Sequence, residues 1–209
     1  MEFSVRIDPA DAAAVELLER LAERADVAPM AHAPVPTLVL GGARSGKSSW
    51  AEAQLAGARD VDYVATSEVR DDDPEWAHRV ALHRDRRPSS WRTVETIDLA
   101  SVLDRDDAAP VLIDCAAVWL DRVLMAAGAW DDSPGWRERV EGEVSRVADA
   151  LRRTTREAII VSNEVGSGVV PATPSGRLYR DELGRLNARL AEASREVWLC
   201  TAGIARRIK

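Results

Sequence analysis

Gly41-Gly42-Ala43-Arg44-Ser45-Gly46-Lys47-Ser48 is the stretch that decides the fold. It follows a short apolar run, Thr37-Leu38-Val39-Leu40, and runs into Ser48-Ser49-Trp50-Ala51-Glu52-Ala53-Gln54-Leu55, whose composition reads as a helix. The stretch fits G-x-x-x-x-G-K-[ST], the phosphate-binding P-loop, in the strand–loop–helix setting that gives the pattern its meaning. There, successive backbone N–H groups and a helix N-terminus face an anion. Glycines let the main chain approach the phosphates. Lys47 is expected to reach the β/γ-phosphates and the Ser48 hydroxyl to ligate Mg²⁺.

Working outward, further short apolar runs recur: Val61-Asp62-Tyr63-Val64-Ala65, Val111-Leu112-Ile113-Asp114-Cys115, Ile159-Ile160-Val161-Ser162 and Val197-Trp198-Leu199-Cys200-Thr201, with Ile204 to Ile208 a candidate terminal strand. Continuous rather than alternating apolar runs suit strands covered on both faces. Helices are expected from Asp72 to about His83 and over roughly 116–127, 135–154 and 175–194. The alternation implies an α/β fold, a mainly parallel sheet flanked by helices. Residues 1–35 read as an appendage: a short helix, Ala12 to Ala25, and a Pro/Ala-rich linker. Residues 36–209 form the nucleotide-binding domain.

A chain of 209 residues, 46% hydrophobic and 30% charged, has the makings of a sizeable core. A net charge of −7 argues against a general nucleic-acid binder. Basic residues cluster only locally, in His83-Arg84-Asp85-Arg86-Arg87, which suits a phosphate ligand better than a polymer. Cys115 and Cys200 lie beside apolar runs without metal-ligand spacing, and read as reduced thiols. No apolar run is long enough to span a membrane, and no signal-peptide core follows Met1. The expected location is cytoplasmic.

Several residues could carry chemistry. Asp114 ends a strand where P-loop proteins hold Mg²⁺; the competing reading is a cap on the next helix. The arginines around His83 would depress its pKa and leave a neutral imidazole able to attack an α-phosphate, although a histidine at a helix end is also a favourable charge there. Asn163 and Glu164 follow the fourth apolar run, at the sheet edge where α/β ligands bind. Arg177, Arg180 and Asp181 fall near one helix face, as substrate contacts or as an ion-paired solvated surface. Of seven tryptophans, Trp50, Trp91 and Trp198 suit the core, and Trp119 either core or ligand.

Taken together, these segments resemble the bifunctional adenosylcobinamide kinase / adenosylcobinamide-phosphate guanylyltransferase family of cobalamin biosynthesis. The resemblance rests on Leu40 to Ser48, Tyr63-Val64-Ala65-Thr66-Ser67, Arg79 to Arg87 with Trp91 to Glu95, Ser162 to Pro171, Tyr179 to Asn187, and Glu196-Val197-Trp198-Leu199 with Gly203-Ile204. It covers about residues 37–209. It implies a RecA-like P-loop NTPase fold, a homotrimer, a corrinoid substrate, and GTP or ATP with Mg²⁺. It implies a kinase step on the aminopropanol hydroxyl and GMP transfer through a histidine–GMP intermediate on His83. Gly41, Gly42, Ala43, Arg44, Ser45, Gly46, Lys47 and Ser48 would hold phosphates; Thr66, Ser67, Glu68, Arg84, Asp85, Arg86, Arg87, Glu95 and Asp114 would line the guanine-nucleotide site. Ser48 and Asp114 would hold the metal. Asn163, Glu164, Arg177, Arg180 and Asp181 would face the substrate. Three departures stand out: Leu82 precedes His83 where some members have a second histidine, the appendage has no counterpart, and the loop Ala172-Thr173-Pro174-Ser175-Gly176 differs. The alternatives are a simple P-loop kinase without GMP transfer and a guanine-nucleotide switch. The chain has no N-K-x-D motif of the latter, and no D-x-x-G follows the Asp114 strand, which continues Cys115-Ala116-Ala117.

Overall fold

The computed structural model describes residues 35–67 and 87–209. The expected appendage helix and linker, the helix from Asp72 to His83, and the site candidates His83, Glu68, Arg84, Asp85 and Arg86 lie outside the described residues.

Seven strands form a single sheet, β1 (Thr37–Gly41), β2 (Asp62–Ala65), β3 (Arg92–Glu95), β4 (Val111–Asp114), β5 (Ala158–Asn163), β6 (Glu196–Thr201) and β7 (Ile204–Arg207). The order is β3-β2-β4-β5-β1-β6-β7, and every pairing is parallel except β6 with β7. The described helices are α1 (Lys47–Gln54), α2 (Leu99–Leu103), α3 (Ala116–Ala126), α4 (Trp136–Arg153) and α5 (Pro174–Ala193), with a 3₁₀ turn at Ala129–Asp131.

Period-two alternation divides the strand residues between two cores. Leu38, Leu40, Val64, Val111, Ile113 and Ile160 face one way, under α2 to α5. Val39, Tyr63, Leu112, Ile159 and Val161 face the other, with Ala51 and Leu55 on the α1 side. This is why β1 and β4 read as unbroken apolar runs. In α4, Trp136, Val140, Val144, Val147 and Leu151 recur at three- and four-residue spacing and are all buried, which gives one apolar stripe against the sheet.

Two elements were not anticipated from sequence. β3 is an edge strand, exposed at both ends, with charged Arg92 and Glu95; its pattern carries no apolar signal. α2 is a single short helix capped by Asp98, whose side chain accepts from the Ser101 N–H. Trp119 resolves to core: it is 1% exposed, and its indole N–H donates to the Ile97 carbonyl at 2.8 Å. Trp50 and Trp198, expected in the core, instead lie half-buried against each other, ring centroids 4.7 Å apart.

At the amino edge, Arg156 is fully buried. It donates to Asp62 at 2.8 Å and to the Ala109 and Val102 carbonyls. Arg92 meets the same Asp62 carboxylate at 2.6 Å. This network fixes the bottom of β2; the top carries the site.

Candidate active site

β1 ends at Gly41, and the chain turns at once into the phosphate loop. A side chain at Gly41 would collide with Ser45 Oγ and stand 2.6 Å from the Cys200 carbonyl, so only glycine fits there. Arg44 takes a left-handed φ of 56°, and Gly46, at φ 91°, caps α1 through its backbone alone. Its carbonyl accepts the first helical bond, from Trp50 N–H at 2.9 Å. No side chain caps α1, so the helix's first amides face outward at the loop. Ser45 Oγ is buried with no partner among the described residues. The Lys47 ammonium folds back onto the Gly42 carbonyl at 3.2 Å, a weak exposed contact that an anion would displace.

The neighbouring strand ends complete the edge. Ala65 pairs with both Glu95 and Asp114, so the three stand at one level of the sheet. Asp114 is not a helix cap: the N-cap of α3 is Cys115, with no side-chain cap bond. One Asp114 oxygen accepts from Tyr63 Oη at 3.1 Å. Burial, and then the Asp114 charge, push the Tyr63 phenol well above its usual value. Tyr63 therefore stays a neutral donor and holds the carboxylate. Arg87 lays its guanidinium 3.5 Å from the centre of the Tyr63 ring, a cation–π contact.

Cys115 reports where the charges stand. Burial, followed by the Asp114 carboxylate, pushes its thiol up to about 11, and Lys47 pulls the other way. Lys47 also acts on Cys200 at the end of β6. Lys47, at the start of the helix that follows β1, and Asp114, at the end of β4, both stand at the sheet's carboxyl edge. Among the described residues no group of three metal-ligating side chains exists.

The remaining candidates divide. Thr66 is wholly buried, and its hydroxyl both donates to the Cys115 carbonyl at 2.8 Å and accepts from the Cys115 N–H at 3.1 Å. It clamps the ends of β2 and β4 together. Ser67, next in line, is half-exposed. Asn163 pairs in register with Gly41, and the Glu164 N–H donates to the Gly41 carbonyl at 3.0 Å, which places both beside the phosphate loop. The Glu164 carboxylate accepts from the Gly166 N–H. Arg177 donates to the Pro171 and Ala172 carbonyls, and Arg180 to the Gly166 carbonyl. These arginines shape the loop after β5, a role between the substrate and surface readings. Asp181 is exposed. Buried Asn187, which accepts from Ser162 Oγ and donates to the Asn163 carbonyl, fixes the same corner.

Sequence reasoning missed Tyr63 and Cys115 as site-forming residues. Tyr63 is internal to an apolar strand, and only its depth in that strand hints at a partner across the sheet.

A family model described as cobinamide kinase / cobinamide phosphate guanyltransferase matches residues 37–208. The bifunctional adenosylcobalamin biosynthesis protein CobU of Salmonella typhimurium is 40% identical over 180 residues, covering 82% of this chain and 98% of that protein. The protein of the same name in Escherichia coli is 39% identical, with the same coverage. Bifunctional adenosylcobalamin biosynthesis protein CobP of Pseudomonas aeruginosa is 39% identical over 176 residues, covering 82% of this chain and 96% of that protein. The family match begins at the first residue of β1.

Proposed function

Because the chain belongs to the cobinamide kinase / cobinamide phosphate guanyltransferase family, we propose that its carboxyl-edge site carries out both transfers, joined by His83 from outside the described residues. The observation that carries this reading is a phosphate loop whose helix amides no side chain caps, at the same carboxyl edge of the sheet as the Asp114 carboxylate that Tyr63 holds. The loop amides and Lys47 hold the triphosphate and take up the charge that builds on the leaving phosphate. Ser48 and Asp114 would hold Mg²⁺, with Tyr63 orienting the carboxylate. When bound, the metal supplies charge neutralisation between phosphate oxygens.

In the kinase half, the aminopropanol hydroxyl of adenosylcobinamide attacks the γ-phosphorus of ATP or GTP and releases the nucleoside diphosphate. In the second half, an imidazole nitrogen of His83 attacks the α-phosphorus of GTP; a P–N bond forms and pyrophosphate leaves. The corrinoid phosphate then displaces the imidazole, giving adenosylcobinamide-GDP and free His83. Splitting the transfer in two makes each displacement a separate in-line step. Arg87 on Tyr63, together with Glu95, would line a guanine nucleotide lying across β2 and β3. A trimer working in the cytoplasm completes the proposal. No described helix is long and apolar enough to cross a membrane.

The test is incubation with Mg²⁺ and α-labelled GTP, then denaturation, intact mass and peptide mapping. An acid-labile, base-stable GMP adduct on His83, lost in His83→Ala, is the expected result. GTP binding without an adduct would leave a kinase alone. Sedimentation of the same sample reads the oligomeric state.

A further inference from the structure

The nucleotide machinery hangs on one face of the sheet, and a cavity of about 680 Å³ opens on the other. The phosphate loop leads into α1, which packs with Val39, Leu112 and Val161. The cavity is walled instead by α3, through Val118 and Met125, and by the first turn of α5, through Ser175 and Tyr179. Those helices belong to the opposite core. Cys115 packs against both cores, so the Asp114–Cys115 corner is the ridge between the two sides.

The cavity is a built feature. Tyr179 Oη donates to the Ala117 carbonyl at 2.9 Å and pins α5 to α3. Arg122, on the rim, donates to the Thr66 carbonyl at 3.1 Å and ties α3 to the end of β2. Thr173 caps α5 by accepting the Gly176 N–H, which sets the turn that carries Ser175. Its volume falls within the roughly 300–1,000 Å³ of small-molecule sites.

The lining specifies the ligand class. Ile97, Val118, Met125 and Trp130 give an apolar and aromatic surface, and Met125 is 60% exposed. On the rim, Asp121 and Arg122 are of opposite sign and offset each other, and Ser67 and Ser175 add hydroxyls. A phosphate ligand would call for net positive charge, which this rim lacks. A broad apolar body fringed with neutral donors and acceptors matches it, and a corrin macrocycle bearing primary amides has that chemistry.

We propose that this cavity is the corrinoid subsite, holding the macrocycle against α3 and the first turn of α5 while the aminopropanol arm crosses the Asp114–Cys115 ridge to the phosphate loop. The inference rests on the family reading, which supplies the substrate, and adds the place where it sits. The two substrates then approach from opposite faces of the sheet and meet only at its carboxyl edge.

Equilibrium dialysis of the full chain with dicyanocobinamide tests this, alongside formation of the GMP adduct, which needs no corrinoid. Met125→Arg puts a charge and bulk into the apolar wall at an exposed position that the fold tolerates; Met125→Leu keeps the wall. The Arg variant is expected to weaken cobinamide binding about ten-fold or more, and the Leu variant by less than about two-fold, with adduct formation intact in both. Ser175→Trp, filling the cavity from the α5 side, is expected to act like Met125→Arg. If wild type forms the adduct and binds cobinamide, but the Arg and Trp variants bind it equally well, the subsite is elsewhere and the family function stands. If wild type neither forms the adduct nor binds cobinamide, the family function fails and the subsite with it.

Discussion

The Gly203 N–H donates to the Ser45 carbonyl at 2.9 Å, so the turn between β6 and β7 braces the phosphate loop from outside the motif. The contact is close: a Cβ on Gly46 would stand 3.1 Å from Gly203 Cα. Two glycine-only conformations meet there, Gly46 at φ 91° and Gly203 at φ 81°. The brace holds the Ser45 carbonyl, and with it the turn of the phosphate loop, from the β6–β7 side.

Gly203→Val is therefore expected to cost about 1–2 kcal/mol of stability, because a β-branched residue is forced into the left-handed region. It should weaken GTP binding by more than the melting temperature alone suggests, since the loop loses its preset shape. Gly57→Ala is the control: a Cβ at Gly57 meets nothing within 4 Å. Thermal melts and titration with a non-hydrolysable GTP analogue decide the matter. Equal nucleotide affinity in Gly203→Val and wild type would remove the brace from the site's design.

Lys47→Ala should leave the fold unchanged, since its ammonium makes only an exposed contact with the Gly42 carbonyl. Removing a charge aimed at a developing phosphate should slow phosphoryl transfer by about 10²–10³-fold. Single-turnover assays at saturating nucleotide check this. A fall confined to KM would mean that Lys47 serves binding alone.

Much of this arrangement was legible in the sequence for one physical reason: strands buried on both faces read as continuous apolar runs, as in Val111-Leu112-Ile113. The P-loop was legible because its spacing is local. β3 was not, because an edge strand with Arg92 and Glu95 at its ends looks like loop. Tyr63–Asp114 was not legible either: the partners are 51 residues apart and meet only once β2 and β4 pair in register. The Gly203–Ser45 brace depends likewise on β6 lying beside β1. Asp114 had two readings from sequence, and the cap geometry at Cys115 removed one of them.

The buried Asp62–Arg156 pair predicts an asymmetric mutational response. Arg156→Met leaves the Asp62 carboxylate, 1% exposed, with only the more exposed Arg92 and Arg105 as cationic partners. It also strips the Ala109 carbonyl of its guanidinium donor and leaves the Val102 carbonyl with only the long contact from the Arg105 N–H, 3.4 Å. The expected loss is about 3–5 kcal/mol in urea unfolding, as for other broken buried pairs. Asp62→Asn with Arg156→Met should recover part of it, because no uncompensated charge remains. If the double variant were no more stable than Arg156→Met alone, lost packing rather than the stranded charge would be the cause.

Cys115 offers a readout of the two charges that define the site. Its thiol is pushed from an ordinary 9.0 up to about 11, by burial first and by the Asp114 charge second, with Lys47 opposing. Only the thiolate is alkylated, so at pH 8 about one molecule in 10³ is reactive at this position. The native rate with iodoacetamide should rise about ten-fold per pH unit up to pH 10, and the unfolded chain should react far faster at pH 8. Asp114→Asn removes a charge that disfavours the thiolate and should speed native alkylation; Lys47→Ala removes a charge that favours it and should slow it. The linkage follows the same sign. Because the folded-state pKa is raised, the contribution of Cys115 to stability is complete below about pH 9 and is lost as pH rises through about 11. Opposite responses of the two variants would show that both charges stand within electrostatic reach of one thiol in solution, as expected for two groups at one edge of the sheet. Responses of the same sign would mean that the variants act by loosening the Thr66–Cys115 clamp instead.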